Sequence, residues 1–315
     1  MDAPSHPVTE VLLERLEAGS QPGARRDGHR VALVLEGGGM RGVVSAGMTA
    51  ALERFGLTPC FDLVVGSSAG AFNGAALIAG AAGEGAATYC GPLASRAFVN
   101  PARVLRGRPV IDVSSLLTYA SGGHHERMLS SPIALHCVAT GVESARPVDL
   151  SGMATVRELW DALLASSRMP WAGGAPVEID GRRYVDGGLA AAIPVAEAVA
   201  AGATHVLALQ TRPQGVPRKS ASRLADRLIE RHLRTLNPAL VTAYRDRVPS
   251  YERLVIDIAR WSREGGGPPY VLGIRPGAGT PVVSQLERRG PVLSVAAADA
   301  ERLVEAALRL GAVAA

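Results

Sequence analysis

The run Val31-Ala-Leu-Val-Leu35 is apolar at every position and is followed at once by Glu36 and three glycines, Gly37, Gly38 and Gly39. A short strand without polar alternation suits a parallel sheet covered on both faces, and the glycines mark where it turns. Beyond the turn, Arg41 to Phe55 places Val43, Val44, Met48, Leu52 and Phe55 along one helical face. "FDLVVGS", Phe61 to Ser67, reads as a second buried strand, and a small-residue helix runs from about Ala69 to Ala79. Strand, helix, strand, helix is the opening of a parallel sheet with right-handed crossovers.

Further elements follow the same grammar. Ile133 to Thr140 reads as a strand and Val156 to Ser166 as a helix, with Thr155 as its N-cap and Glu158 three residues on. Val177–Ile179 and Arg183–Val185 flank an Asp-Gly pair and read as a hairpin. A helix is expected over Pro194 to Ala201, strands over Thr204 to Thr211 and Tyr270 to Pro276, and an amphipathic helix over Val295 to Leu310. The organisation expected is an N-terminal extension over 1–29, partly flexible, with a short helix at Thr9 to Ala18. A core over 30–212 follows, and then a mainly helical part over 213–315 that packs on the core and adds one strand.

With 315 residues, 47% of them hydrophobic, the chain can bury one large α/β core. Its net charge of +4 is too mild to imply nucleic acid, and it weakly favours anionic surfaces. Three scattered cysteines, Cys60, Cys90 and Cys137, fit neither a disulfide framework nor a metal site; no metal and no cofactor are expected. The N-terminal stretch lacks the pattern of a signal peptide, so a cytoplasmic location is expected. The longest small-apolar run, Ala69 to Gly83, falls short of a ~20-residue span, so any membrane contact is expected to be peripheral, at the inner face. Gln214 to Arg263 is rich in arginine, with Asp226 and Glu230 interleaved. Leu224, Leu228, Ile229, Leu233 and Leu236 supply one apolar stripe. It reads as a surface helix with a solvated charged face. The alternative, a helix lying on anionic lipid, is disfavoured by the two acids.

Gly66-Ser67-Ser68-Ala69-Gly70 is a G-x-S-x-G pattern placed between a buried strand and a helix. Flanking glycines allow a sharp turn that thrusts Ser68 out at the helix N-terminus, where unpaired amides favour developing negative charge. A serine nucleophile needs a base. Of the seven histidines, His6 and His29 lie in the N-terminal region, His124 and His125 in a loop, His136 and His205 in or beside buried strands, and His232 on the charged helix. Only His205 comes shortly after a plausible acid in chain order. That acid is Asp186, at a strand end before Gly187 and Gly188.

Taken together, these pieces resemble the patatin-like phospholipases and lipid acyl hydrolases. The match is carried by Gly37-Gly38-Gly39-Met40-Arg41-Gly42, by Gly66 to Gly70, by Asp186-Gly187-Gly188 and by "ASSRMPW", Ala165 to Trp171, in the family's order. The resemblance implies an α/β three-layer sandwich, with a mostly parallel central sheet and helices on both faces. It implies a Ser–Asp dyad without histidine, with Ser68 as nucleophile and Asp186 as general base, and an oxyanion hole from Gly37, Gly38, Gly39 and Arg41. Gly42, Gly66, Gly70, Gly187 and Gly188 would support the turns, and the substrate would be a lipid acyl ester. Two departures stand out. Glu36 replaces the family's usual Asp, and Ala191-Ala192 replace a polar pair before Pro194.

Two rival readings use the same residues. "GGGMRG" fits a dinucleotide fingerprint, but the second strand ends in "GSSAG" where such a site wants a ribose-binding acid. An α/β-hydrolase completed by His205 would place its serine unusually early in the chain.

Overall fold

Alternate residues of the first strand go to opposite sides. In β1 (Val31–Leu35), Val31, Leu33 and Leu35 join one buried cluster, while Ala32 and Val34 join another. The computed structural model describes residues 5–106, 108–113, 124–170, 174–218 and 222–308. Arg41, expected to open the helix, lies instead in a 3-10 turn (Gly39–Gly42), and α2 (Val43–Arg54) follows. Then come β2 (Leu63–Ser67), α3 (Ala69–Ile78), α4 (Ala82–Cys90) and α5 (His124–Ser130). Next are β3 (Ala134–Gly141), β4 (Pro147–Ser151) and α6 (Val156–Ser167). The predicted hairpin is β5 (Val177–Ile179) and β6 (Arg182–Asp186), followed by α7 (Val195–Ala200) and β7 (His205–Leu209). Two helices, α8 (Arg223–Leu236) and α9 (Ala239–Glu264), precede β8 (Tyr270–Ile274) and α10 (Gly290–Leu308). A helix over Pro7–Glu17, α1, stands before all of these.

Among the described residues eight strands form one sheet, in the order β5-β6-β3-β2-β1-β7-β8, with β4 against β3. From β3 to β8 every neighbour is parallel. Helices α2, α3, α4, α6 and α10 cover one face, and α7 and α9 the other, which makes an α/β three-layer arrangement. Strand β3 organises the site. β2 pairs with it from Ala134 to Val138, and β6 from Ala139 to Gly141. Because β4 occupies positions 136 to 140, overlapping both, β2 and β6 must share the opposite edge, one after the other. Ser67 therefore sits opposite Val138, and Asp186 opposite the very next residue, Ala139.

Several expectations need correction. His124 and His125 lie at the start of a helix, not in a loop. The arginine-rich segment is two helices, broken at Asn237-Pro238. The terminal helix begins at Gly290, and Leu310, like Trp171 of the "ASSRMPW" segment, lies outside the described residues. Thr155 caps α6 as predicted, its hydroxyl accepting from the Glu158 amide. The N-terminal helix α1 is docked. Val8 and Leu12 are buried, and the Arg15 guanidinium bridges Asp27 and Asp62 at 2.7 and 2.8 Å. Arg25 meets the other oxygen of Asp62 at 2.6 Å.

Candidate active site

Ser68 stands between β2 and α3 with φ of 55° and ψ of −125°. A side chain in that region costs on the order of 1–3 kcal/mol, so the neighbours must hold it there. The amide of Ser68 donates to Ser166 Oγ at 2.9 Å, and Ser166 donates in turn to the carbonyl of Val138 at 2.7 Å. Gly70 makes the turn possible by closeness: a Cβ on it would lie 2.3 Å from the carbonyl oxygen of Leu35.

The Ser68 hydroxyl donates to Asp186 Oδ2 at 2.8 Å, and both residues are buried. The second oxygen of Asp186 accepts from the Gly188 amide at 2.7 Å. Its backbone is pinned as well, the amide donating to the carbonyl of Arg168 and the carbonyl accepting from Thr140 Oγ1. Gly187 fits between the strands because a Cβ there would lie 2.0 Å from the carbonyl oxygen of Val138. Burial pushes the Asp186 carboxyl up to about 6, against the opposing pull of its bonds to Ser68 and Gly188 and the charge of Arg218. A carboxylate raised to that level is a far better proton acceptor at neutral pH than an exposed one.

The glycine turn meets the serine directly: a Cβ on Gly37 would lie 3.0 Å from Ser68 Cβ. The Gly37 amide is taken by the carbonyl of Ala192 at 3.2 Å. Among the described residues, the amides of Gly38 and Gly39 have no protein acceptor. Arg41 is buried, with its Nε donating to Thr211 Oγ1 at 3.0 Å and its Nη2 lying 3.9 Å from Glu36. Glu36, one of the two departures noted above, accepts from the Thr211 amide at 2.5 Å and from the Tyr251 hydroxyl at 3.0 Å. Gly42 gives its carbonyl to Asn73 Nδ2, while Gly66 ends the β1–β2 ladder opposite Leu35.

Two spaces meet at Ser68. A small cleft is bordered by Gly38, Gly39, Arg41, Asp186 and Arg218. A cavity of about 140 Å³, lined mainly by apolar side chains including Phe72, Phe98, Ile111, Trp160, Leu163 and Met169, opens from the other side. Residue-by-residue reading missed Ser166 and Arg218. Ser166 lies in the quoted "ASSRMPW" stretch, but nothing there says which serine supports the elbow. Arg218 has no local pattern; only the fold brings its guanidinium to the carbonyl of Gly188, at 3.1 Å.

His205 is not brought to Ser68. It pairs with Val31 at the start of β7, four residues before the end where the glycine turn lies. Its Nδ1 is 2.9 Å from Thr204 Oγ1, its ring packs against His29 and Tyr270, and burial holds it down at about 4. The triad alternative therefore fails on position. His136 instead lies 2.7 Å from Asp149.

A family model described as patatin-like phospholipase matches residues 33–199, over half of the 315. The uncharacterized protein YjjU of Escherichia coli (strain K12) is 32% identical over 191 residues, covering 58% of this chain and 52% of that protein. The chain thus spans about half the length of this curated relative. The matched residues include the glycine turn, the serine elbow and the Asp186 hairpin, and the chain belongs to the patatin-like phospholipase family.

Proposed function

We propose that the protein is a serine acyl hydrolase that cleaves carboxylic esters of lipids through Ser68 and Asp186. The observation that carries this reading is the 2.8 Å bond from Ser68 Oγ to a buried Asp186 carboxylate, beside an apolar cavity. Ser68 Oγ attacks the ester carbonyl as its proton passes to Asp186 Oδ2. The carbonyl oxygen becomes an oxyanion received by the amides of Gly38 and Gly39, which need not abandon any protein acceptor to do so. Arg41 supports that turn through Thr211 and Glu36 and adds positive charge nearby. The intermediate collapses as Asp186 returns the proton to the leaving alcohol, and the acyl group stays on Ser68. Water, deprotonated by Asp186, then attacks the acyl-enzyme. As the bond from Ser68 Oγ to the acyl carbon breaks, Asp186 returns the proton to Ser68 Oγ and the fatty acid is freed. The apolar cavity suits the acyl chain.

The test is covalent labelling with a fluorophosphonate together with hydrolysis of a p-nitrophenyl ester. Wild type is expected to label and turn over, Ser68→Ala to do neither, and Asp186→Asn to lose turnover. Full activity in Asp186→Asn would remove the dyad, and an unlabelled wild type would remove the enzyme.

A further inference from the structure

The apolar residues of α8 do not form the single stripe that their spacing suggests. Leu233 is fully buried, and with Ile229 and Leu236 it joins an apolar cluster that includes Leu240, Val241 and Tyr244 of α9 together with Val185 and Leu189. Leu224 and Leu228 point elsewhere and are 69% and 59% exposed. The two acids whose presence argued against a lipid-facing helix are also accounted for. Glu230 is bridged by Arg245 of α9 at 2.6 Å, and Asp226 faces Arg247 at 3.6 Å and accepts from the Tyr244 hydroxyl at 2.7 Å. That leaves Arg223, Arg227, Arg231 and Arg234, all exposed and none in an ion pair within 4 Å among the described residues, Arg234 alone also acting on Glu230 through its charge. At 3.6 residues per turn these four arginines fall within roughly 80° of the helix circumference, and Leu224 and Leu228 occupy the adjoining ~60°. The helix thus has a buried inner face, acids neutralised at its flank, and an outer face made of arginine and leucine.

We infer that this outer face of α8 is a docking surface for a membrane carrying anionic lipid. Exposed leucines gain by entering the headgroup boundary, and the unpaired guanidinium groups meet phosphate there. Charge complementarity selects that occupant. The inner face of the same helix belongs to the apolar cluster that holds Val185 and Leu189, which bracket Asp186 to Gly188, so a docked α8 adjoins, through α9, the element that carries the proposed base. The inference deepens the lipid-ester reading and rests on it for its purpose, but its test needs no turnover.

The full chain is sedimented with vesicles of phosphatidylcholine alone or mixed with phosphatidylglycerol. Wild type is expected to bind the mixed vesicles and to release as salt shortens the screening length from ~10 Å at 0.1 M. The double variants Arg227→Glu/Arg231→Glu and Leu224→Ser/Leu228→Ser are each expected to bind at least roughly tenfold more weakly, with hydrolysis of a soluble short-chain ester unchanged. Equal binding to both vesicle types, or undiminished binding in both variants, would overturn the inference. So would a wild-type dimer that either variant splits, or retention of duplex DNA in place of vesicles. A chain that binds anionic vesicles but hydrolyses no ester would sink the enzyme reading and leave the surface standing.

Discussion

Arg218 Nη2 donates to the carbonyl of Gly188 at 3.1 Å, and the amide of that same glycine donates to Asp186 Oδ1. A cation is thereby fixed one residue pair away from the proposed base, where it favours the charged carboxylate. Burial pulls Arg218 down only to about 10, so it stays charged at neutral pH. Removing it raises the Asp186 pKa further. In Arg218→Met the acid limb of kcat/KM is expected to move to higher pH, with activity near pH 6 falling several-fold more than activity at pH 8. A limb that stays in place would show that Arg218 acts only in packing.

Asp186 itself trades stability for basicity. Its folded pKa of about 6 lies above the ordinary 3.8, so the folded state holds the proton more tightly than the unfolded chain. The penalty is absent below the unfolded value and sets in fully as pH rises through about 6. Asp186→Asn is therefore expected to be inactive yet more stable at pH 7.5, by up to about 3 kcal/mol, with the difference vanishing near pH 4. Thermal melts at the two pH values check this.

Ser166→Ala removes the acceptor of the Ser68 amide and the donor to the Val138 carbonyl in one step. Leaving those buried groups unpaired should cost about 2 kcal/mol of stability. The elbow also loses a tether, so kcat should fall about tenfold or more, with little change in KM. Denaturation and steady-state kinetics on the same preparation separate the two effects.

Arg15 is 2% exposed and ties α1 to Asp27, Asp62 and the carbonyls of Cys60 and His29. Arg15→Met leaves Asp62 with the Val31 amide and Arg25 alone among its cations, and should lower stability by about 3 kcal/mol. Arg25→Met should cost less, because Arg15 remains on Asp62. Urea midpoints rank the two.

The elements legible in the sequence were those whose burial is written locally. β1 is an unbroken apolar run, and β2 and β7 are apolar but for Gly66-Ser67 and His205, because helices cover both of their faces, and Thr155 and Glu158 spell out the start of α6. β4 was missed because it lies outermost and half-exposed, with polar residues, and is a strand by virtue of pairing with β3. α4 was missed because alanines and glycines carry little periodic signal. On α8, spacing alone grouped five apolar residues that tertiary packing divides into buried and exposed sets. Ser68 and Asp186 were legible through motifs. The residues that set their environment, Ser166 and Arg218, were not, since each acts through a contact between distant parts of the chain.

The shared edge of β3 has a consequence for how such a molecule can diversify. Ser67 and Asp186 face consecutive residues, Val138 and Ala139, so Ser68, the next residue after Ser67, and Asp186 are brought together by one backbone step in a third strand. Phe98 and Ile111, which lie between α4 and α5 and help wall the apolar cavity, stand outside those strands and outside the Ser166 and Arg168 tethers that hold the pair. Substitution there could recut the cavity while the Ser68–Asp186 pair keeps its gauge.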